Sequence, residues 1–232
     1  KFPAENVGLQ VFYTERLAKN EVAVGLDLED VIDIGYLFLN GKLRDRRTYA
    51  VAGNAAKEKK HFSARFGISV ADLTGIPEES NGIEHRFVGG GLFTGNRVKP
   101  SDFLSPYERS VQVMQEDRVR HPFALLRPGF EHLTLFRSWF SGWFPNVERE
   151  ATTSNNGEER ACIQCGACID ICPVELMPNI IFKHALEGDI EKMEQSFIHD
   201  CVDCGLCTFI CPSKIELAQH LEDGKKLIAK EG

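Results

Sequence analysis

The first 161 residues of this 232-residue chain contain no cysteine, and none follows Cys211. All eight cysteines fall between Cys162 and Cys211, and the other 182 residues carry none. A disulfide framework staples a small secreted domain and spreads along it, so this clustering argues against one. No stretch pairs a basic start with an apolar centre in the manner of a secretory signal. Clustered thiols without such a signal point to metal in a reducing compartment. Long apolar runs are also missing: none reaches the roughly 18 residues of a membrane span. Positive charge is scarce, with a net charge of −7. No basic stripe is available to neutralise phosphate, which argues against a nucleic-acid partner. There is no G-x-S-x-G, and no thiol is left over as a nucleophile once the cysteines are given to metal. No catalytic residue is therefore assigned. His61, His85, His121, His132 and His220 lack ligand spacing, and His184 and His199 fall in helical stretches. The remainder, 43% hydrophobic and 26% charged, reads as an ordinary globular chain of one to two domains.

What is present is concentrated in two runs, "ACIQCGACIDICPVELMP" from Ala161 and "DCVDCGLCTFICPSKIEL" from Asp200. Cys162, Cys165, Cys168 and Cys172 precede Pro173; Cys201, Cys204, Cys207 and Cys211 precede Pro212. Both read C-x₂-C-x₂-C-x₃-C-P, the spacing that ligates [4Fe-4S] clusters in bacterial ferredoxins. Three cysteines at steps of three can wrap one face of a cubane. The fourth is carried onward by a helix to the neighbouring cluster. The expected ligand sets are therefore crossed, Cys162, Cys165, Cys168 and Cys211 for one cluster, and Cys201, Cys204, Cys207 and Cys172 for the other. Gly166 and Gly205 occupy the same slot in each run, where a missing Cβ permits close approach and unusual φ. They join Pro173 and Pro212 as candidate cofactor-contacting positions, with Ile163, Ile169, Val202 and Ile210 as candidate shields against water. Two Cys₄ zinc sites would need paired C-x₂-C knuckles, and the third cysteine in each run does not suit them.

Between and after the runs the pattern is helical. Pro178 opens "NIIFKHALEG", which stops at Gly188. Asp189 can cap a helix with Ile190, Met193 and Phe197 on one face. "SKIELAQHLEDGKKLIAK" is amphipathic, so the cysteine region reads as an α-helical ferredoxin domain. Upstream, "VGLQVFY" and "EVAVGL" read as short strands, with Val22 and Val24 on one face. "DLEDVIDIGYLFLNGK" reads as a helix with Asp27 at its cap and Asn40-Gly41 as its stop. From Arg46 the pattern turns to β: "RRTYAVAG" is a strand, "ARFGISVADLTGI" a strand, turn and short helix, and "GIEHRFVGGGLFTGNRV" two strands around a glycine turn. A small sheet crossed by one helix suits a β-grasp fold. Gly89 to Gly91 are followed by no helix, which favours a hairpin over a dinucleotide fingerprint. "SVQVMQED" alternates like a strand. Phe136, Trp139, Phe140, Trp143 and Phe144 are read as core aromatics, with a docking surface as the alternative. The polar stretch from Glu148 to Arg160 reads as a linker.

The two cysteine runs resemble the dicluster segment of RnfC, a component of the Rnf electron-transport complex. "FPAENVGLQVFY", "DVIDIGYLFLNGKL", "YAVAGNAAK", "FGISVADLTG" and the end of the chain are similar to the NqrA family, a component of Na⁺-translocating NADH:quinone reductases. The cysteine set departs from the NqrA pattern and follows that of RnfC. The resemblance implies an α+β chain. It would hold the end of a Rossmann-like domain over 1–45, a β-grasp (SLBB-like) domain over 46–102, and an aromatic-rich connecting segment over 103–147. The linker at 148–160 and the α-helical dicluster ferredoxin domain at 161–232 would follow. It implies that the chain, which starts at Lys1 without Met, begins within a longer protein. It further implies an electron-transfer subunit with two [4Fe-4S] clusters, cytoplasmic and peripheral on the inner membrane. Its partners would be the other subunits of a membrane redox complex, one of them bearing a quinone or flavin. Two rival readings are a self-standing iron–sulfur oxidoreductase with a flavin or substrate on the β-grasp domain, and clusters that only staple the helices.

Overall fold

Alternating apolar residues after Asn40 dictate a sheet. In the computed structural model, which describes residues 2–15, 17, 21–77, 79–80, 83–117, 143, 153 and 158–231, six strands form there. They are β1 (Arg46–Ala52), β2 (Lys60–Arg65), β3 (Glu79–Ser80), β4 (Ile83–Gly89), β5 (Asn96–Val98) and β6 (Ser110–Gln115). The order is β2-β1-β6-β4-β3, with β5 also paired to β4. β1 and β6 run parallel, with Val51 opposite Val111. A parallel pair needs a crossover, and the chain between β2 and β4 supplies one that contains the short helix α3 (Val70–Thr74). Ser69 caps α3 by accepting from Asp72 N–H, and Gly75 ends it in the left-handed region. α3 buries Val70 and Leu73 with Tyr49, Val51, Phe87, Val111 and Val113 of the sheet. The Gly89–Gly91 stretch joins the antiparallel strands β4 and β5, with Gly90 at φ +93, so the turn expected there is what forms.

The chain divides into two compact units, Tyr36–Asn156, which holds this sheet, and Lys1–Gly35 with Gly157–Gly232. The second unit is helical. Its first helix, α1 (Val7–Thr14), is capped by Asn6, whose side chain accepts from Leu9 N–H. The cysteine region supplies α4 (Ala167–Asp170), α5 (Pro178–Glu187), α6 (Ile190–Gln195), α7 (Leu206–Ile210) and α8 (Leu217–Glu231), with a 3₁₀ turn at Ile198–Asp200. α5 begins on Pro178 and ends at Gly188, and Asp189 caps α6 through Lys192 N–H. Ile181, Met193, Ile198 and Leu221 are almost wholly withdrawn from water and form the centre of this core. Burying such side chains contributes about 1.5–3 kcal/mol each. Gly224 lets α8 approach closely, because a Cβ there would press on Met193 Sδ and Ile198 Cδ1.

Several expectations from the sequence are corrected. "VGLQVFY" is helical, not a strand: Asn6 caps it, and Leu9 turns inward to join the core of the cysteine region. Residues 21–27 form no strand, and Val22 and Val24 are both exposed. The two strands expected of a Rossmann-like end are therefore not found among the described residues of 1–45. Those residues hold α1 and the helix α2 (Leu28–Asn40), which starts after Asp27 and stops before Gly41 at φ +64. β6, expected within a separate segment from 103, lies between β1 and β4, because its alternation buries Val111 and Val113 in the sheet's core. Phe197 lies beyond α6 at φ +58 and is exposed, so it does not share a face with Met193. Phe136, Trp139, Phe140 and Phe144 and most of the 148–160 linker lie outside the described residues, and Trp143 is exposed.

Two substitutions test these packings. Gly53 follows β1 at φ +109, and a Cβ there would run into the Val113 backbone of β6. Gly53→Ala is expected to cost roughly 3 kcal/mol, read as an earlier denaturant midpoint for the sheet. Leu9→Ala is expected to cost about 2 kcal/mol in the helical unit, read by thermal unfolding, if α1 is part of that core.

Candidate metal centre

The cysteine runs fold as two copies of one local structure. Each starts with extended chain and passes through a left-handed residue two positions after the first cysteine, Gln164 at φ +53 and Asp203 at φ +50. Each then reaches a glycine, Gly166 at φ +79 and Gly205 at φ +74, that caps a short helix, α4 or α7. Three residues after the last cysteine a second non-glycine residue is left-handed, Glu175 at φ +57 and Lys214 at φ +60. Apart from Phe197, every non-glycine residue with positive φ among the described residues sits in these runs. Such backbone is strained by about 1–3 kcal/mol per residue and gathers at functional sites. Here it bends the chain so that successive cysteines face one centre.

Two cavities result. One, with about 380 Å³ of space between atoms and partly open to solvent, is lined by Cys201, Cys204 and Cys207, and by Cys172 from the other run. The second, of about 340 Å³, is lined by Cys162, Cys165 and Cys168, and again by the other run's last cysteine, Cys211. α4 and α7 pack together and carry Cys172 and Cys211 across. All eight cysteines are free thiols. The cavities differ in cover: Cys204 is buried with Cys201, Cys172 and Cys207 half-buried, whereas Cys165 is exposed and Ile163, expected as a shield, is 68% exposed. Ile169, Val202 and Ile210 are half-buried against the helical core, as a shield requires. Gly166 and Pro212 line one cavity, and Gly205 and Pro173 line the other. His184 and His199 line neither.

The electrostatics follow from burial. Desolvation pushes the Cys207 thiol up to about 12, and Cys201, Cys204 and Cys172 add to this by disfavouring another negative charge beside them. Cys201 is pushed up to about 11, again by burial first, with the Asp203 N–H and the Lys225 ammonium opposing. Burial also raises Cys168 and Cys204, opposed by N–H groups of Asn179 and Leu206 respectively. Four thiols crowded in one cavity resist ionisation together unless positive charge is bound among them. The donor set fits iron–sulfur chemistry, being four soft sulfurs per cavity with backbone N–H groups turned toward them. Around one zinc ion, bonds of about 2.3 Å would draw the sulfurs to about 3.8 Å from each other. Among the described residues no three His, Cys, Asp or Glu side chains converge so as to hold a single ion.

Three contributors to the site are absent from the cysteine pattern. Asn179 places its backbone N–H on Cys168, and its buried Oδ1 has no hydrogen-bond partner. Its only sequence signal is its place after Pro178, at the start of α5. α1 lies against the Cys201 cavity through both runs: Asn6 Nδ2 donates to Val202 O at 3.1 Å, and Tyr13 OH donates to Pro173 O at 2.8 Å. Lys225 of α8 donates to Cys201 O at 2.7 Å and to both Asp203 carboxylate oxygens at 2.8 Å. The contacts of α1 join positions 160 and 196 residues apart and those of Lys225 positions 22 and 24 apart, too far for a local motif.

The family model for a 4Fe-4S dicluster domain matches residues 161–216, which hold all eight cysteines. Over 99% of its length the chain is 30% identical to the NqrA component of the Na(+)-translocating NADH-quinone reductase of Saccharophagus degradans, covering 52% of that protein. The same-named protein of Cellvibrio japonicus is 30% identical over 83% of this chain and 43% of its own length. That of Alcanivorax borkumensis is 29% identical over 82% of this chain and 42% of its own. The chain spans about half the length of the curated relatives it matches. It is thus similar to the NqrA component of NADH-quinone reductases along nearly its whole length, and it carries a 4Fe-4S dicluster domain within that similarity.

Proposed function

We propose that this chain is an electron-transfer subunit in which Cys162, Cys165, Cys168 and Cys211 hold one [4Fe-4S] cluster and Cys172, Cys201, Cys204 and Cys207 hold another. The observation that carries the reading is the composition of the two cavities, each lined by three cysteines of one run and the last cysteine of the other. When bound, such clusters take up and release single electrons without making or breaking bonds to substrate. The protein's part is to hold the thiolates, turn N–H groups of Asn179, Asp203 and Leu206 toward sulfur, and exclude water with the core around Leu176, Ile215 and Leu221. N–H donors stabilise negative charge on sulfur and so ease reduction. Sharing α4 and α7 keeps the two sites adjacent, which favours passage of an electron from one to the other.

The similarity to the NqrA component of Na(+)-translocating NADH-quinone reductases supports a place in a multi-subunit NADH:quinone reductase-type complex. The paired cysteine runs are the part that is like RnfC. Partners in this reading are the other subunits of the complex, with a quinone or flavin on one of them. The chain would sit peripherally at the cytoplasmic face of the membrane. No described helix is long and apolar enough to cross a membrane. We further read the sheet as β-grasp, supported by the parallel pairing of β1 with β6 and the helix α3 packed on it.

Iron content and paired substitutions test the ligand sets. The full chain is expected to be brown and to carry about eight irons. Cys172→Ser with Cys204→Ser is expected to leave about half the iron, since both remove the same cluster. Cys172→Ser with Cys165→Ser is expected to remove nearly all of it. The reverse pattern would show that each run ligates its own cluster. A second measurement tests the role: the dithionite-reduced chain is expected to reoxidise on mixing with a quinone or flavin acceptor, and failure with both would refute electron transfer.

A further inference from the structure

The two halves of the cysteine region repeat one backbone, so a difference between equivalent positions stands out. Two residues after the first cysteine, one run has Gln164 and the other Asp203, both left-handed. The Asp203 carboxylate oxygen Oδ1 lies 3.6 Å from Cys201 Sγ. A negative charge so close to a ligand sulfur opposes the addition of an electron. Lys225 stands against it. Its ammonium bonds both oxygens of Asp203 and the Cys201 carbonyl, and its side chain is only 20% exposed. Asp203 is 56% exposed, so Lys225 is the more withdrawn of the pair and its charge is screened less than that of a fully exposed cation. At the other site Arg160, which is exposed, donates to the Pro212 carbonyl at 3.1 Å, and Lys214 follows Cys211 in the same loop. Gln164 gives that site no carboxylate to be balanced.

We propose that Lys225 is a positioning residue that sets the reduction potential of the Cys172, Cys201, Cys204 and Cys207 site alone, by neutralising Asp203 and holding the Cys201 loop. The inference rests on the ligand sets given under Proposed function. Its consequence is a built-in difference between two otherwise repeated sites: with Lys225 in place, the Cys201 site accepts an electron more readily than it would with Asp203 uncompensated. A charge on α8, outside either cysteine run, then biases which way an electron moves between the two.

The test is a mediated redox titration of the full chain followed by electron paramagnetic resonance, with the two clusters assigned through the cysteine variants above. Lys225→Met is expected to lower the midpoint of the Cys201 cluster and leave the other unmoved. Asp203→Asn is expected to raise the same midpoint, and Lys225→Arg to restore most of the wild-type value. Midpoints that stay put in both Lys225→Met and Asp203→Asn, or two clusters that shift together, overturn the proposal while leaving the ligand sets intact. If Lys225→Met assembles no cluster at this site, Asp203→Asn still reads the coupling. Loss of the cluster in both variants assigns the pair a structural role instead and overturns the proposal. A wild-type chain without cluster signals overturns the ligand sets themselves.

Discussion

The exchange of last cysteines between the two runs is the constraint on which the helical unit depends. Cys172 must reach the cavity of Cys201, Cys204 and Cys207, and Cys211 must reach that of Cys162, Cys165 and Cys168. This forces α4 and α7 side by side and makes α5 and α8 the elements that return the chain. The left-handed residues at Gln164, Glu175, Asp203 and Lys214 supply the bends. Their strain is offset by the core around Ile181, Met193, Ile198 and Leu221, and bound metal would offset it further. Neither run by itself lines a cavity with four cysteines, since each cavity takes its fourth from the other run.

Around that frame the sites are not equivalent. The one containing Cys201 has α1 laid against it through Asn6 and Tyr13, and Lys225 drawn onto its first loop. The one containing Cys162 has Cys165 and Ile163 at the surface. A repeated local sequence pattern thus acquires two environments through elements outside the repeat.

The sheet is organised by a different principle. Its core is ordinary apolar alternation, with Tyr49, Val51, Phe87, Val111 and Val113 meeting Val70 and Leu73 of α3. No strained non-glycine backbone is described in it, and its special positions are glycines at close approaches, Gly53 against Val113 above all.

Local chemistry was legible wherever local chemistry decides the structure. The cysteine spacing announced four sulfurs per site, Pro178 and Gly188 bounded α5, Asp189 capped α6, and Asn40-Gly41 ended α2. β1, β4, β5 and β6 fall where the sequence reads as β, the alternation of "SVQVMQED" marking β6 because burial on one face of a sheet leaves a period of two, whereas the strand read from Ala64 lies at Lys60–Arg65 as β2. The short apolar run "VGLQVFY" was not legible, since so short a run fits either period and only the core that receives Leu9 chooses the helix. β6 was read as a strand but not as the centre of the sheet. Its parallel partner β1 lies far back along the chain, beyond β2, α3, β4 and β5, and pairing over that span leaves no local trace. The same reason hid Lys225 and Asn6: which side chain meets a cysteine loop across the chain is decided only when the helices pack. The sequence by itself determined which atoms can bind metal and which stretches coil or extend. The tertiary structure decided which elements surround each site, because burial and charge act through space rather than along the chain.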